Sequence, residues 1–133
     1  MTELVPGLIG EKRIVVTEEY TAKHLGSGSV LVFATPSMIM LMEQTAVSSV
    51  DPLLPIGQRT VGIAVDVRHL AATPMGMSVR ARTELLEVDG RRLKFRVEAF
   101  DEREKIGEGF HERFIIDVEK FQQKVAAKKL NKL

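Results

Sequence analysis

The spacing of apolar and polar positions changes period along this chain, and each change marks an element. Residues 12–17, Lys12-Arg13-Ile14-Val15-Val16-Thr17, predict a first strand. Residues 19–31, with Gly26 and Gly28 among small side chains, predict an irregular connection. A largely apolar run over 36–50 predicts a helix, with Thr35 at its N-cap. Pro36 then occupies the first helical position, where its missing N–H costs nothing. Asp51-Pro52 and Pro55-Ile56-Gly57 end that helix. After Gly57 the pattern alternates, and Val61, Ile63, Val65 and Val67 share one face of a strand over 59–71. Thr73-Pro74-Met75-Gly76 is a turn, and Val79, Ala81, Thr83 and Leu85 alternate in the next strand. Asp89-Gly90 is a strong hairpin signal, with Leu93, Phe95, Val97 and Ala99 on the return strand. A charged turn over 101–105 leads to a last strand, whose inward phase is read as Ile106, Phe110, Phe114 and Ile116. Residues 118–130 predict a C-terminal helix capped by Asp117.

The order is strand, long helix, then four strands joined by short turns. An antiparallel sheet needs one face covered, and the long apolar helix can cover it. That is an α+β chain with the hotdog architecture, a long central helix wrapped by a curved antiparallel sheet, here read as one domain over 1–133. Such a sheet leaves a long edge strand, which invites pairing with a second copy.

Composition narrows the function. Hydrophobic residues are 44%, charged residues 28% and the formal net charge +1, with no basic block interleaved with aromatics, so nucleic acid is not an expected partner. No apolar run approaches the ~18 residues that cross a bilayer. Met1 to Gly10 lacks the pattern of a signal peptide, and a cytoplasmic location is expected. There is no cysteine, which removes disulfides, thiolate metal sites and a Cys nucleophile. Three separated His residues give little support for a metal.

Glu43 is the only charged residue between Pro36 and Val50. On a helical wheel its neighbours are Ile39, Met40, Ala46, Val47 and Val50, the residues expected to face the sheet. Ser37, Gln44, Thr45, Ser48 and Ser49 fall mostly on the other side. A carboxylate in the middle of an apolar stripe costs several kcal/mol unless it is paired or protonated. Two readings stand: a desolvated base or nucleophile, or a residue at a groove mouth that reaches water.

His69 continues the inward face of Val61, Ile63, Val65 and Val67, so two titratable groups from two different periods point into one interior. His24 has no identifiable partner, and His111 and Arg113 fall out of phase, as solvated surface groups. Gly107 and Gly109 mark a bulge or close backbone approach. Thr35 serves either as a plain cap or, beside the free N–H groups of a helix N-terminus, as a donor to an oxyanion. Met38, Met40 and Met42 read as core or pocket wall, and Lys124, Lys128, Lys129 and Lys132 as solvated.

Three separated segments resemble the fluoroacetyl-CoA thioesterase family of hotdog proteins. They are Val32-Phe33-Ala34-Thr35 followed by Leu41-Met42-Glu43, then Val67-Arg68-His69-Leu70-Ala71-Ala72-Thr73-Pro74, then Gly109-Phe110-His111-Glu112-Arg113. The resemblance implies an acyl-CoA thioesterase with a short acyl substrate, whose catalytic residues fall on Thr35, Glu43 and His69. It implies contacts to the CoA thioester from Gly62, His69 and Arg113. It also implies a homodimer with active sites at the subunit interface, where Arg113 would serve the neighbouring site. No metal or other cofactor is implied, because CoA belongs to the substrate. One position departs: members specialised for fluoroacetyl-CoA carry a lid Phe six residues before the catalytic Thr, and here that position is Ser29.

In the mechanism so implied, Glu43 and His69 activate water, or Glu43 attacks the thioester directly, while Thr35 and nearby N–H groups hold the oxyanion. A hotdog dehydratase would want an Asp–His pair at short spacing, which is not found. A non-catalytic acyl-CoA binding module would have no use for Thr35, Glu43 and His69 together.

Overall fold

A computed structural model describes residues 3–130; Lys132 lies outside the described residues. Strand β1 (Ile9–Val15) begins three residues earlier than predicted. The connection expected to be irregular holds a short helix α1 (Ala22–Leu25), whose His24 N–H is capped by Thr21 Oγ1 at 3.3 Å. Helix α2 (Thr35–Val50) is followed by β2 (Gln58–His69), β3 (Ser78–Asp89), β4 (Arg92–Phe100), β5 (Lys105–Asp117) and helix α3 (Val118–Ala126). The strands form one antiparallel sheet in the order β1-β3-β4-β5-β2, with β1 and β2 at its edges. With α2 laid against it, this is the α+β hotdog arrangement. No helix among the described residues is long and apolar enough to cross a membrane.

Helix α2 buries Met38, Leu41, Met42, Thr45, Ala46 and Val50, which repeat at the i, i+3, i+4, i+7, i+8 spacing of one helical face. The apolar ones among them meet Val79, Ala81, Leu85, Leu93, Phe95, Val97 and Ala99 in a single cluster. Each large side chain fully buried there contributes roughly 1.5–3 kcal/mol. This face is rotated from the predicted one. Thr45 turns inward because its hydroxyl donates to Leu41 O at 2.7 Å and leaves no polar group unsatisfied. Ser37 is buried as well, whereas Met40 is exposed and Ile39 and Val47 are only half-buried.

Strand β5 also corrects the expected phase. His111, Arg113 and Ile115 face the helix, and Phe110 and Phe114 face out. Ile106 is buried in the opposite phase, because the β4–β5 register shifts between Ala99 and Phe100. Beyond that shift the inward positions are Gly107 and Gly109, which show no hydrophobicity to read. A Cβ at Gly107 would overlap the end of the Met38 side chain, which would have to shift. A second shift in β2, between Gly62 and Ala64, puts Thr60 and Gly62 on the inward face before it and Val65, Val67 and His69 after it. Val61, predicted inward, pairs with the outward Phe114, and Ile63 is the bulged residue. Asp117 precedes α3 without a side-chain cap bond, and its carboxylate meets Gln58 and Arg91 instead.

Candidate active site

Two polar groups lie along α2, one at its N-terminus and one at its middle. At its N-terminus the cap is Ala34, not Thr35, and makes no side-chain cap bond. Thr35 is the first helical residue, and its Oγ1 lies 2.7 Å from His69 Nδ1, at the end of β2. The hydroxyl is thus turned away from capping and toward the imidazole. His69 Nε2 is buried and has no hydrogen-bond partner among the described residues. Burial holds the His69 imidazole below the ordinary histidine range, against an opposing interaction with the Ala71 backbone. The ring is therefore neutral near pH 7 and able to accept a proton. A cleft of about 430 Å³ opens beside the pair, walled mainly by small residues such as Ala22, Ser27, Ala34, Ala71 and Ala72. Free N–H groups of the first helical turn face the same end.

The second group surrounds Glu43. In one protomer its side chain is 40% exposed, so it stands at the rim of the apolar face rather than within it. Glu43 Oε2 lies 3.8 Å from Arg113 Nη1. Gly62 is opposite, and a Cβ built on it would come within 2.8 Å of Glu43 Oε2.

Arg113, expected at the surface, is 6% exposed, and His111, expected to be solvated, is 2% exposed. Arg113 Nε donates to Thr60 Oγ1 at 2.8 Å and Nη2 to Thr60 O at 3.0 Å. Its Nη1 is 3.1 Å from His111 Nε2, while His111 Nδ1 is 2.8 Å from Ala64 O. A carbonyl only accepts, so Nδ1 carries the proton and Nε2 accepts from the guanidinium. Burial first, then the Arg113 charge, hold His111 below its ordinary value, although Ala64 O and Glu43 oppose them. Burial likewise lowers Arg113, against the Asp51 and Glu43 carboxylates; a guanidinium stays charged throughout.

The predicted residues therefore form two sets, Thr35 with His69 and Glu43 with Gly62 and Arg113. From position 35 to position 43 the helix rises about 12 Å, at ~1.5 Å per residue. The expectation that Glu43 and His69 point into one interior is thus not met within one protomer. His111, Thr60 and Asp51 belong to the second set and were not singled out from the sequence. Their signal was the run Gly107, Gly109, His111, Arg113 and Ile115, whose glycines hide its phase. Among the described residues, no group of three or more His, Cys, Asp or Glu is placed to hold a metal ion.

Residues 16–119 match the fluoroacetyl-CoA-specific thioesterase family, FlK. The fluoroacetyl-CoA thioesterase of Streptantibioticus cattleyicolor is 47% identical over 97 residues, which span 73% of this chain and 70% of that protein. A solved structure of the fluoroacetyl-CoA thioesterase FlK superposes with a TM-score of 0.89 at 39% identity, covering 96% of this chain and 98% of that one. A Thermus thermophilus protein described as a thioesterase superfamily member gives 0.88 at 32% identity, covering 97% and 96%. With most of its length matched in sequence and nearly all of it in structure, the chain belongs to the fluoroacetyl-CoA-specific thioesterase family and is a hydrolase of thioester bonds.

Proposed function

We propose that this protein hydrolyses short-chain acyl-coenzyme A to the free acid and CoA, as a cytoplasmic homodimer, with Thr35, Glu43 and His69 as catalytic residues. Gly62, His69 and Arg113 contact the thioester. The observation that carries the reading is the Thr35–His69 hydrogen bond at 2.7 Å, made at a helix N-terminus that opens on a cleft. A neutral imidazole, a hydroxyl and free N–H groups at one point are what a thioester carbonyl needs as it becomes an oxyanion.

The dimer supplies what one protomer lacks. Strand β2 is a sheet edge, and its Ile63 and Val65 are 51% and 43% exposed. Two copies joined antiparallel through β2 run the His69 end of one strand beside the Gln58–Gly62 half of the other. Glu43 stands against Gly62, so this pairing carries the Thr35–His69 pair of one copy toward Glu43 of the other. In the reaction, water adds to the thioester carbonyl as its proton passes to Glu43 or His69. The oxyanion meets Thr35 and the first-turn N–H groups. Collapse then breaks the C–S bond, and the leaving thiolate takes up the proton. In the covalent variant, a Glu43 oxygen displaces the thiolate and water cleaves the resulting anhydride. CoA is part of the substrate, and neither route needs a cofactor.

Thiol release from acetyl-, fluoroacetyl-, propionyl- and butyryl-CoA tests the assignment. At least one short acyl-CoA should be turned over with kcat/KM of about 10⁴ M⁻¹s⁻¹ or more. Ser29 stands where a lid Phe is expected in specialised members, so fluoroacetyl-CoA should be preferred over acetyl-CoA by less than ~1,000-fold, about 4 kcal/mol. Tight binding without thiol release would make the protein a binding module and overturn the reading.

A further inference from the structure

Asp51 stands at the C-terminal end of α2, where the helix dipole disfavours a negative charge, and the last turn carries no basic residue. Its carboxylate is spent on one neighbour. Thr60 Oγ1 donates to Asp51 Oδ1 at 2.6 Å, and Thr60 N–H to Asp51 Oδ2 at 3.2 Å. Because the hydroxyl proton is committed to Asp51, the lone pairs of Thr60 Oγ1 are turned to Arg113 Nε, 2.8 Å away. The same logic operates on the other side of the guanidinium. His111 gives its Nδ1 proton to Ala64 O and so presents a lone pair to Arg113 Nη1. Two of the three acceptors that hold Arg113, Thr60 Oγ1 and His111 Nε2, are thus oriented by a further acceptor behind them; the third is the Thr60 carbonyl. Nη1, which keeps one further N–H, lies 3.8 Å from Glu43 Oε2.

We infer that Asp51, acting through Thr60, is a positioning residue that fixes the Arg113 guanidinium at the thioester site. This rests on the assignment of Arg113 as a substrate contact made above. The competing account is that Asp51 merely anchors the turn after α2 to the start of β2.

The test follows the Arg113 Nε–H signal by ¹⁵N NMR and the steady-state kinetics of the short acyl-CoA turned over, in Thr60→Val, Asp51→Asn and Thr60→Ser. In the wild type the Nε–H should exchange slowly. Thr60→Val and Asp51→Asn should lose that signal and raise KM about tenfold or more, with kcat within about threefold, the pattern of lost binding in ground and transition states alike. Thr60→Ser keeps the hydroxyl and should restore both. A protected signal and unchanged KM in folded Asp51→Asn would overturn the inference and leave only the anchor. Arg113→Ala separates the two levels. If it raises KM while Asp51→Asn does not, positioning alone fails. If Arg113→Ala leaves KM unchanged, the assignment of Arg113 to the site fails and the inference with it.

Discussion

Thr35 Oγ1 and His69 Nδ1 lie 2.7 Å apart, and this one contact joins the first residue of α2 to the last residue of β2. Helix capping does not account for it, since Ala34 is the cap. Removing a capping side chain ordinarily costs ~1 kcal/mol. Thr35→Ala should cost less than about 0.5 kcal/mol and leave the fold intact. Its kcat/KM should fall by roughly 100-fold, as for loss of an oxyanion donor, and Thr35→Ser should retain most of the activity. Thermal melting and thiol-release kinetics on the same preparations check both halves.

Burial lowers both His69 and His111, so the folded protein binds fewer protons near pH 6 than the unfolded chain does. Stability from these groups is complete above the ordinary histidine value of ~6.5 and is lost as pH falls through the folded values. Asp101 adds the same sign at lower pH. Its burial pushes the carboxyl up, but bonds from the N–H groups of Arg103 and Glu104 and from Thr73 outweigh that and bring it down. Urea unfolding between pH 5 and 8 should show stability falling toward pH 5, and the acid limb of kcat/KM should lie below ~6.5. Stability that rises on acidification would contradict these assignments.

Gly62 matters for the space it leaves open. A Cβ there meets Glu43 Oε2 at 2.8 Å, with Arg113 Nη1 and His111 Cε1 at 3.3 Å. The Glu43 carboxylate is the free end of a flexible side chain, so it would swing aside rather than unfold the protein. Gly62→Ala should keep its melting temperature within a few degrees and lose kcat/KM by about tenfold or more. Unchanged kinetics in that variant would show that the position of Glu43 is not critical.

The exposed Ile63 and Val65 predict the oligomer. Wild-type protein at micromolar concentration should scatter light as a dimer or a larger assembly. Ile63→Glu with Val65→Glu places like charges at the β2 edge and should give monomers without thioesterase activity. A monomeric wild type that is active would remove the shared site.

Much of this architecture was legible in the residues. The alternation of Val79, Ala81, Thr83 and Leu85, the Asp89-Gly90 turn and the uninterrupted run to Val50 correspond to β3, the β3–β4 hairpin and α2. The faces were harder to read. Thr45 looked polar but buries a hydroxyl bonded to Leu41 O, which rotates the helix and leaves Glu43 at the rim. Gly107 and Gly109 hold the inward phase of β5 without hydrophobicity, so Phe110 and Phe114 took their place in the pattern and His111 was read as solvated. The bulge at Ile63 is a register event between two strands, which a single strand's alternation does not carry. The segments around Thr35, Glu43 and His69 were found through resemblance and period together, whereas the Asp51–Thr60–Arg113 chain exists only once β2 and β5 are side by side.

In the proposed mechanism Glu43 does chemistry on a thioester. Among the described residues its one charged contact is Arg113 Nη1 at 3.8 Å, and with its side chain 40% exposed that pair contributes little to stability. Glu43→Gln keeps the shape and removes the charge, so its melting temperature should stay within a few degrees of wild type. The decisive measurement is kcat/KM of purified Glu43→Gln on the best short acyl-CoA substrate. A fall of roughly 100-fold or more is expected, as for loss of a general base or nucleophile; a folded variant that hydrolyses the thioester at close to the wild-type rate would remove Glu43 from the mechanism.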